Sequence, residues 1–469
     1  MVLVALCLTI ALGIAVAGFV AVCARTMELS NRSFCYTAST QLAETGLEEA
    51  LWSLNQAYAN PSSYDWSAAG WTKTGSTVTK SLTGFATNTG VPGSVTLQID
   101  NCDYDRISNT TLPVITSHGI SQMRDGIAID RRLKVAVRPV ALFSNAVAAV
   151  GTATPDNHLG NYVYFASAAG GLVDSYDSTQ NSGDYDPSLV PGATPPRPVN
   201  RSDKAVVSGP YVYLYNTNVL GYVATANPSS YALWVYTNGG VTGLDPTTGL
   251  PSSLRIDNSR ISNNANQSAF DLSQPSATNQ LFGGAQTGTA RIATGATSPQ
   301  FWYSGLSGLA LSGGDTLTID GPVVIVVSGD FSIQDMASIQ ITADGSAQIY
   351  VTGNLNIQGL GINNLTKRPR KLALFSTSNS WYSQMNTTTP FCGVIYVPNM
   401  PLYVGSWSPA TPNYDMTING ALVAKYVFFY DVPAVHYDLD LRNATFSSVS
   451  TPFQVSQRLS TTSAPSAQL

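Results

Sequence analysis

Charge is scarce in this chain: Asp, Glu, Lys and Arg make up only 11% of its 469 residues, and the formal net charge is -5. A nucleic-acid surface needs a basic stripe over the phosphates, so this composition argues against such a partner. Histidine is scarcer still. His118, His158 and His436 stand far apart, without the Glu-x-x-His spacing of a metal site. No nucleophile, phosphate-loop or metalloprotease signature accompanies them, so no catalytic, cofactor-binding or metal-ligating set is expected, and an enzyme is not the expected reading. Cysteine is also sparse, at five. Cys7 and Cys23 fall in an apolar run and read as small apolar residues. Cys35, Cys102 and Cys392 can form at most one disulfide, so disulfides do not organise this fold.

The longest feature present is an uncharged run from Met1 to Ala24, broken only at Arg25. At a helical rise of about 1.5 Å per residue it is long enough to cross a hydrocarbon core about 30 Å thick. No basic segment precedes it, and Val22-Cys23-Ala24 is a weak cleavage sequence, so a secretory signal peptide fits poorly. Helix-compatible residues continue past Arg25, with Leu47, Leu51 and Leu54 spaced along one helical face. One helix over 1–57 is therefore predicted, apolar in its first half (Leu3, Leu6, Ile10, Leu12, Ile14 and Phe19) and amphipathic in its second.

This arrangement, with LAETGLEEALWSLN at Leu42–Asn55, resembles the type IV pilin superfamily, and within it the PilX-type minor pilins and pseudopilins. The resemblance implies an apolar half-helix that sits in the inner membrane before assembly and packs with other pilin-like subunits in a filament core afterwards. If Met1 is the first mature residue, Ala5 stands where most major pilins carry Glu, which implies a low-copy subunit. The resemblance also implies a head displayed on the cell surface or on an extracellular pilus.

Beyond the helix the periodicity changes. Val95, Leu97 and Ile99, then Leu133, Val135 and Val137, alternate with mostly polar residues, as in half-buried antiparallel strands. A small antiparallel sheet is expected over 58–140, and its closing stretch resembles the pilin sheet that packs on the helix. From Ala141 an internal repeat takes over. Gly321–Gln334 (GPVVIVVSGDFSIQ) aligns with Gly345–Gln358 (GSAQIYVTGNLNIQ) at an offset of 24 residues. Two short strands per repeat fit one coil of a parallel, right-handed β-solenoid, whose coils stack at about 4.8 Å. The inward positions are then Ile325, Val327, Ile333, Ile349, Val351 and Ile357. A solenoid over 141–443 is predicted, with Pro-rich and polar interruptions at 187–203 and 227–299 read as extruded loops. The Ser/Thr-rich stretch 444–469 reads as a disordered tail. The fold class is thus mainly β: a long N-terminal helix, a small antiparallel sheet and a large parallel solenoid head.

Four groups on the head invite a functional reading. Asp174, Asp177, Asp184 and Asp186 crowd into one turn region, where carboxylates at that density suit calcium, but the Gly and terminal Glu of an EF-hand loop are missing. A solvated turn between coils is the simpler reading. His436, Asp438 and Asp440 alternate along a strand and are expected to cap the last coil. Tyr211, Tyr213, Tyr215, Trp234 and Tyr236 form either a strip that binds a sugar or protein, or, more simply, rings packed along a ladder. Lys367, Arg368, Arg370 and Lys371 cluster without acids beside them in sequence, and the coils lack the paired carboxylates of a β-helix glycosidase. The expected function is structural: a minor pilin-like subunit at a filament tip or in assembly initiation. A membrane-anchored adhesin for a surface glycan or protein is the alternative, and a carbohydrate-active enzyme comes third.

Overall fold

The computed structural model describes residues 2–59, 64–86, 93–104, 111–123, 126–151, 162–180, 183–196, 198–226, 232–263, 265, 269–270, 272, 274–284, 287–304, 308–406, 416–444, 446 and 453–462. They form two units, one of residues 1–140 with 451–469 and the other of 141–450. The fold is mainly β, with one long N-terminal helix, a small antiparallel sheet and a large parallel solenoid.

In the first unit, helix α1 (Val2–Ala59) runs unbroken for 58 residues, about 87 Å at the standard rise. Its second half packs on an antiparallel meander of β1 (Thr72–Thr74), β2 (Thr77–Phe85), β3 (Gly93–Asp100), β4 (Val114–Gln122) and β5 (Ala128–Pro139). The buried stripe of α1 is made largely of small residues: Cys35, Ser39, Ala43, Gly46, Ala50 and Ser53, with Leu42 and Leu54 beside them. Leu47 and Leu51 lie at its margin, half-buried against the same core. Small side chains win the centre because helix and sheet approach backbone to backbone. A Cβ on Gly119 of β4 would press on the Ser39 carbonyl oxygen and come within 2.6 Å of the Ala43 nitrogen. Gly119→Ala is therefore expected to cost about 1–3 kcal/mol, since the helix backbone cannot step aside without losing its packing. Amide exchange in β4 checks this, and unchanged protection would show that the contact is slack.

The sheet is completed from the far end of the chain. Phe453–Thr462 pairs antiparallel with β5, Phe453 opposite Pro139 and Thr462 opposite Arg132. The expectation of a disordered tail over 444–469 is thus corrected for this stretch, while 447–452 and 463–469 lie outside the described residues. Its Ser/Thr-rich sequence carries no apolar period, but β5 offers an edge of backbone groups to pair with, and Phe453 adds an anchor. The Phe453 ring is buried against Tyr58 and Tyr104, and its amide donates to Asn55 Oδ1 at 2.6 Å. The solenoid is therefore an insertion between the last two strands of this unit.

In the second unit, three ladders of parallel strands wind into coils. One inward column runs in register through Trp302, Ile325, Ile349, Leu374, Ile395, Leu422, Val147, Val207, Val223 and Ile261. A second runs through Leu311, Ile333, Ile357, Met385, Val404, Phe429, Phe165, Leu214 and Val235. Val327 and Val351 pair beside the first. A third, shorter ladder joins Ile292, Ile319, Ile341 and Asn364.

These registers show that stacking order is not chain order. The chain starts the solenoid in mid-stack at Val147–Ala149, winds away to Ile261–Ser262, then returns to the opposite end at Ala290 and winds back. Its last coil, Ile418–Asp438, settles on its first, with Leu422 beside Val147 and Phe429 beside Phe165. Leu233–Tyr236, Gly240–Thr242 and Ile261–Ser262 pair with Tyr211–Thr225 as a further coil, so the expectation that 227–299 is all extruded loop is corrected. Those strands are only two to four residues long, with one or two inward residues each, which hides the period. Between the two ends, the described residues lie against the coils at three points. Ala265 donates to the Thr225 carbonyl, the Phe270 backbone bonds twice to the Tyr396 hydroxyl at 2.5 and 3.0 Å, and Asn279 pairs with Trp302.

Candidate functional site

Three features carry chemistry or exposed apolar surface. The first is the N-terminal half of α1, where Leu3, Leu6, Ile10, Leu12, Ile14 and Phe19 all stand exposed. This segment is long and apolar enough to cross a membrane. A Cβ on Gly13 or Gly18 would touch nothing, and among the described residues none packs on this half. Leu54 is buried in the sheet-facing core, unlike the apolar residues of the first half.

The second is a buried polar cluster at the junction of the last and first coils. Asp174 is fully buried. Its Oδ1 lies 2.6 Å from His436 Nδ1, while its Oδ2 accepts from the Tyr185 hydroxyl at 2.5 Å and lies 2.9 Å from Arg201 Nε. The Tyr185 ring stacks on His436 at 3.5 Å between centroids. Cys392, Asn419, His436 and Asp174 follow one another in register on four adjacent strands. Asp438 accepts from the Ser178 amide and hydroxyl and from the Asp440 amide, at 3.0, 2.6 and 3.1 Å. Burial raises the Asp438 carboxyl above the usual range against the pull of those bonds, and burial likewise raises the Cys392 thiol.

The expectation that His436, Asp438 and Asp440 cap a terminal coil is corrected. Ala434–Asp438 pairs with Leu172–Tyr176, so these residues lie at an internal seam and not at an end. The ordering is decided by which coil covers which edge, information that no local pattern carries. The four aspartates of the turn region do not share a site. Asp177 is held by Thr179 and Gln180, Asp184 by Lys367 at 2.7 Å, Asp186 by the Ser188 amide, and Asp174 faces the seam. Among the described residues no group of three or more His, Cys, Asp or Glu is placed to hold a metal ion. Arg370 pairs with Asp440 at 3.0 Å, so the basic loop finds its acids across the fold. All five cysteines are free thiols.

The third is a flank of outward rings on the second ladder. Tyr403, Phe428, Tyr164, Tyr213 and Trp234 sit in register on five successive coils, each half-exposed. Neighbouring centroids are 4.8, 6.2, 6.0 and 5.9 Å apart. Tyr215 and Tyr236 form a parallel, exposed column, whereas Tyr211 is buried. Both sequence readings of these tyrosines thus describe part of the arrangement: the rings pack along the ladder and also face outward. Toward the other end the same outward column continues as Gln384, Asn356 and Ser332. There it borders a groove of about 370 Å³ lined by Ser332, Asn354, Asn356, Trp381 and Tyr382. Sequence reasoning missed Tyr403, Phe428, Tyr164 and Trp381, because they come from segments far apart in the chain that only the stacking order aligns.

Residues 260–444 match a family described as a domain of unknown function, DUF7305. The matched part holds the coils that wind back toward the seam and excludes the helix and the antiparallel sheet. No curated protein matches the chain. Among solved structures, the competence-associated pilin ComZ from Thermus thermophilus is similar at 12% identity over 91% of this chain and 97% of that one, with a TM-score of 0.19. At that score the likeness carries no argument about fold or role.

Proposed function

We propose that this chain is a membrane-inserted, pilin-like structural subunit that carries its solenoid as an inserted head. The observation behind the proposal is one uninterrupted helix whose residues 2–24 are exposed, almost wholly apolar and uncharged, and whose second half is clasped by an antiparallel sheet. Such an exposed stripe is costly in water and favourable in lipid or against like helices, as in a filament core. The finer reading is a low-copy, PilX-type minor subunit, held in the inner membrane before assembly and displayed on the cell surface afterwards. A head built from a long stack of coils is bulky to repeat along a thin filament, which favours a place at the tip or in initiation. Its partners are other pilin-like subunits through α1. The polar seam supports a structural rather than catalytic role, since Asp174 and His436 are buried and paired with each other and Asp438 is buried and held by Ser178.

Leu12→Arg is the direct test. A charge at the centre of the apolar half is expected to disfavour insertion by about 2.5–3.5 kcal/mol. Membrane fractionation and incorporation into filaments should both fall. Retention of both at parental levels would sink the reading.

A further inference from the structure

We propose that the aromatic flank of the solenoid is a binding surface for a neutral, linear glycan, extending into the amide-lined groove beside Trp381. Five rings in register on five coils make a track whose neighbouring centroids lie between 4.8 and 6.2 Å apart. Tyr382 prolongs it, stacked on Tyr403 at 5.5 Å and 29°, and Trp381 follows, 82% exposed. Tyr403 and Phe428 stack at 12° and the next rings are tilted at 55°, 52° and 45°, so the flank is a continuous apolar strip of ring edges and partly open faces, on which the C–H face of a pyranose can lie. The edges match as well. Sugar hydroxyls need donors and acceptors at the rim, and Asn356, Asn354 and Gln384 supply amides while the tyrosines supply phenols.

Charge selects among possible polymers. No Asp, Glu, Lys or Arg occurs in Gln384–Thr387, Leu402–Gly405, Val427–Tyr430, 162–166, 211–215 or Leu233–Tyr236, the segments that build the track. Asp330, which also lines the groove, is already engaged by the Asn354 amide and side chain at 2.8 and 3.1 Å. Burial and neighbouring phenols hold the Tyr403 and Tyr430 hydroxyls above their usual range, so they stay neutral and able to donate. A nucleic acid or anionic polysaccharide would meet no counter-charge here, and its binding would be salt-dependent. A neutral glycan meets rings and amides alone.

The test uses the full chain in detergent micelles, so it is independent of filament assembly and of the pilin-like reading. Cellohexaose, chitohexaose and mannohexaose are titrated by calorimetry, with heparin and poly-dT as anionic controls. At least one neutral hexasaccharide should bind saturably, with affinity insensitive to salt, and should be recovered uncut. Tyr213→Ala and Trp381→Ala should each weaken it about tenfold, equivalent to about 1.4 kcal/mol, while Thr318→Ala on the third ladder should not. The exposed Trp381 can be truncated without unfolding the head, so loss in that variant reports the surface itself. Binding of none of the three hexasaccharides, equal binding by the Trp381 variant, or preferential salt-dependent binding of heparin or poly-dT would overturn the proposal. New reducing ends on the recovered sugar would overturn a binding-only surface.

Discussion

Ile349→Asp is expected to unfold the solenoid around it. Ile349 is fully buried in the longest inward column, in register between Ile325 and Leu374. An aspartate there would have apolar neighbours above and below in the column, so either it ionises without a partner or it binds a proton at a large cost. The loss should be about 4–5 kcal/mol, at the extreme end of single substitutions. Ile349→Val removes one methyl group and should cost only about 0.5–1.5 kcal/mol. Limited proteolysis with mass mapping separates the two, because the aspartate variant should be cut within Ser346–Val351 and its neighbouring coils. A variant that resists cleavage like the parent would show that Ile349 is not in the packed core.

Phe429→Ala should open the seam between the last coil and the first. Phe429 stacks on Phe165 with centroids 4.3 Å apart and planes 2° from parallel, both rings lying inside the second column. Truncation to alanine leaves a cavity worth about 3–5 kcal/mol. The location of the effect matters as much as its size. Elsewhere stacked coils are neighbours in the chain, but this seam joins residues more than 250 positions apart, so packing and strand pairing alone hold it. Hydrogen exchange should therefore accelerate first in 162–166 and Val427–Tyr430. Uniform loss of protection over all coils would show that the stack melts as one body and that the seam is no weaker than its neighbours.

The seam also explains which parts of this protein could be read from its residues. The apolar run Met1–Ala24, the alternation in Val95–Ile99 and the 24-residue offset between Gly321 and Gly345 are local patterns, and each reports which face of a helix or strand is buried. From them follow the long helix, the antiparallel sheet, the parallel coils and the pairing of Ile325 with Ile349 and Ile333 with Ile357. Periodicity does not say which distant segment covers a given edge. The closing strand Phe453–Thr462 looks like a polar tail because its strength is in backbone pairing to β5, which any sequence without proline can provide. The stripe through Ala43 and Gly46 is hidden for a different reason. Leucines at helical spacing mark an apolar face, but the closest backbone approach selects the smallest side chains, and only the position of β4 reveals where that approach occurs. His436 and Asp174 are 262 residues apart, the rings of the aromatic flank come from segments spread between Tyr164 and Phe428, and both arrangements depend on the last coil settling on the first. Local burial periods were thus determined by the sequence, whereas the order of the stack, the polar seam and the aromatic track were decided by tertiary structure, because open strand edges are satisfied by whichever edge geometry brings to them.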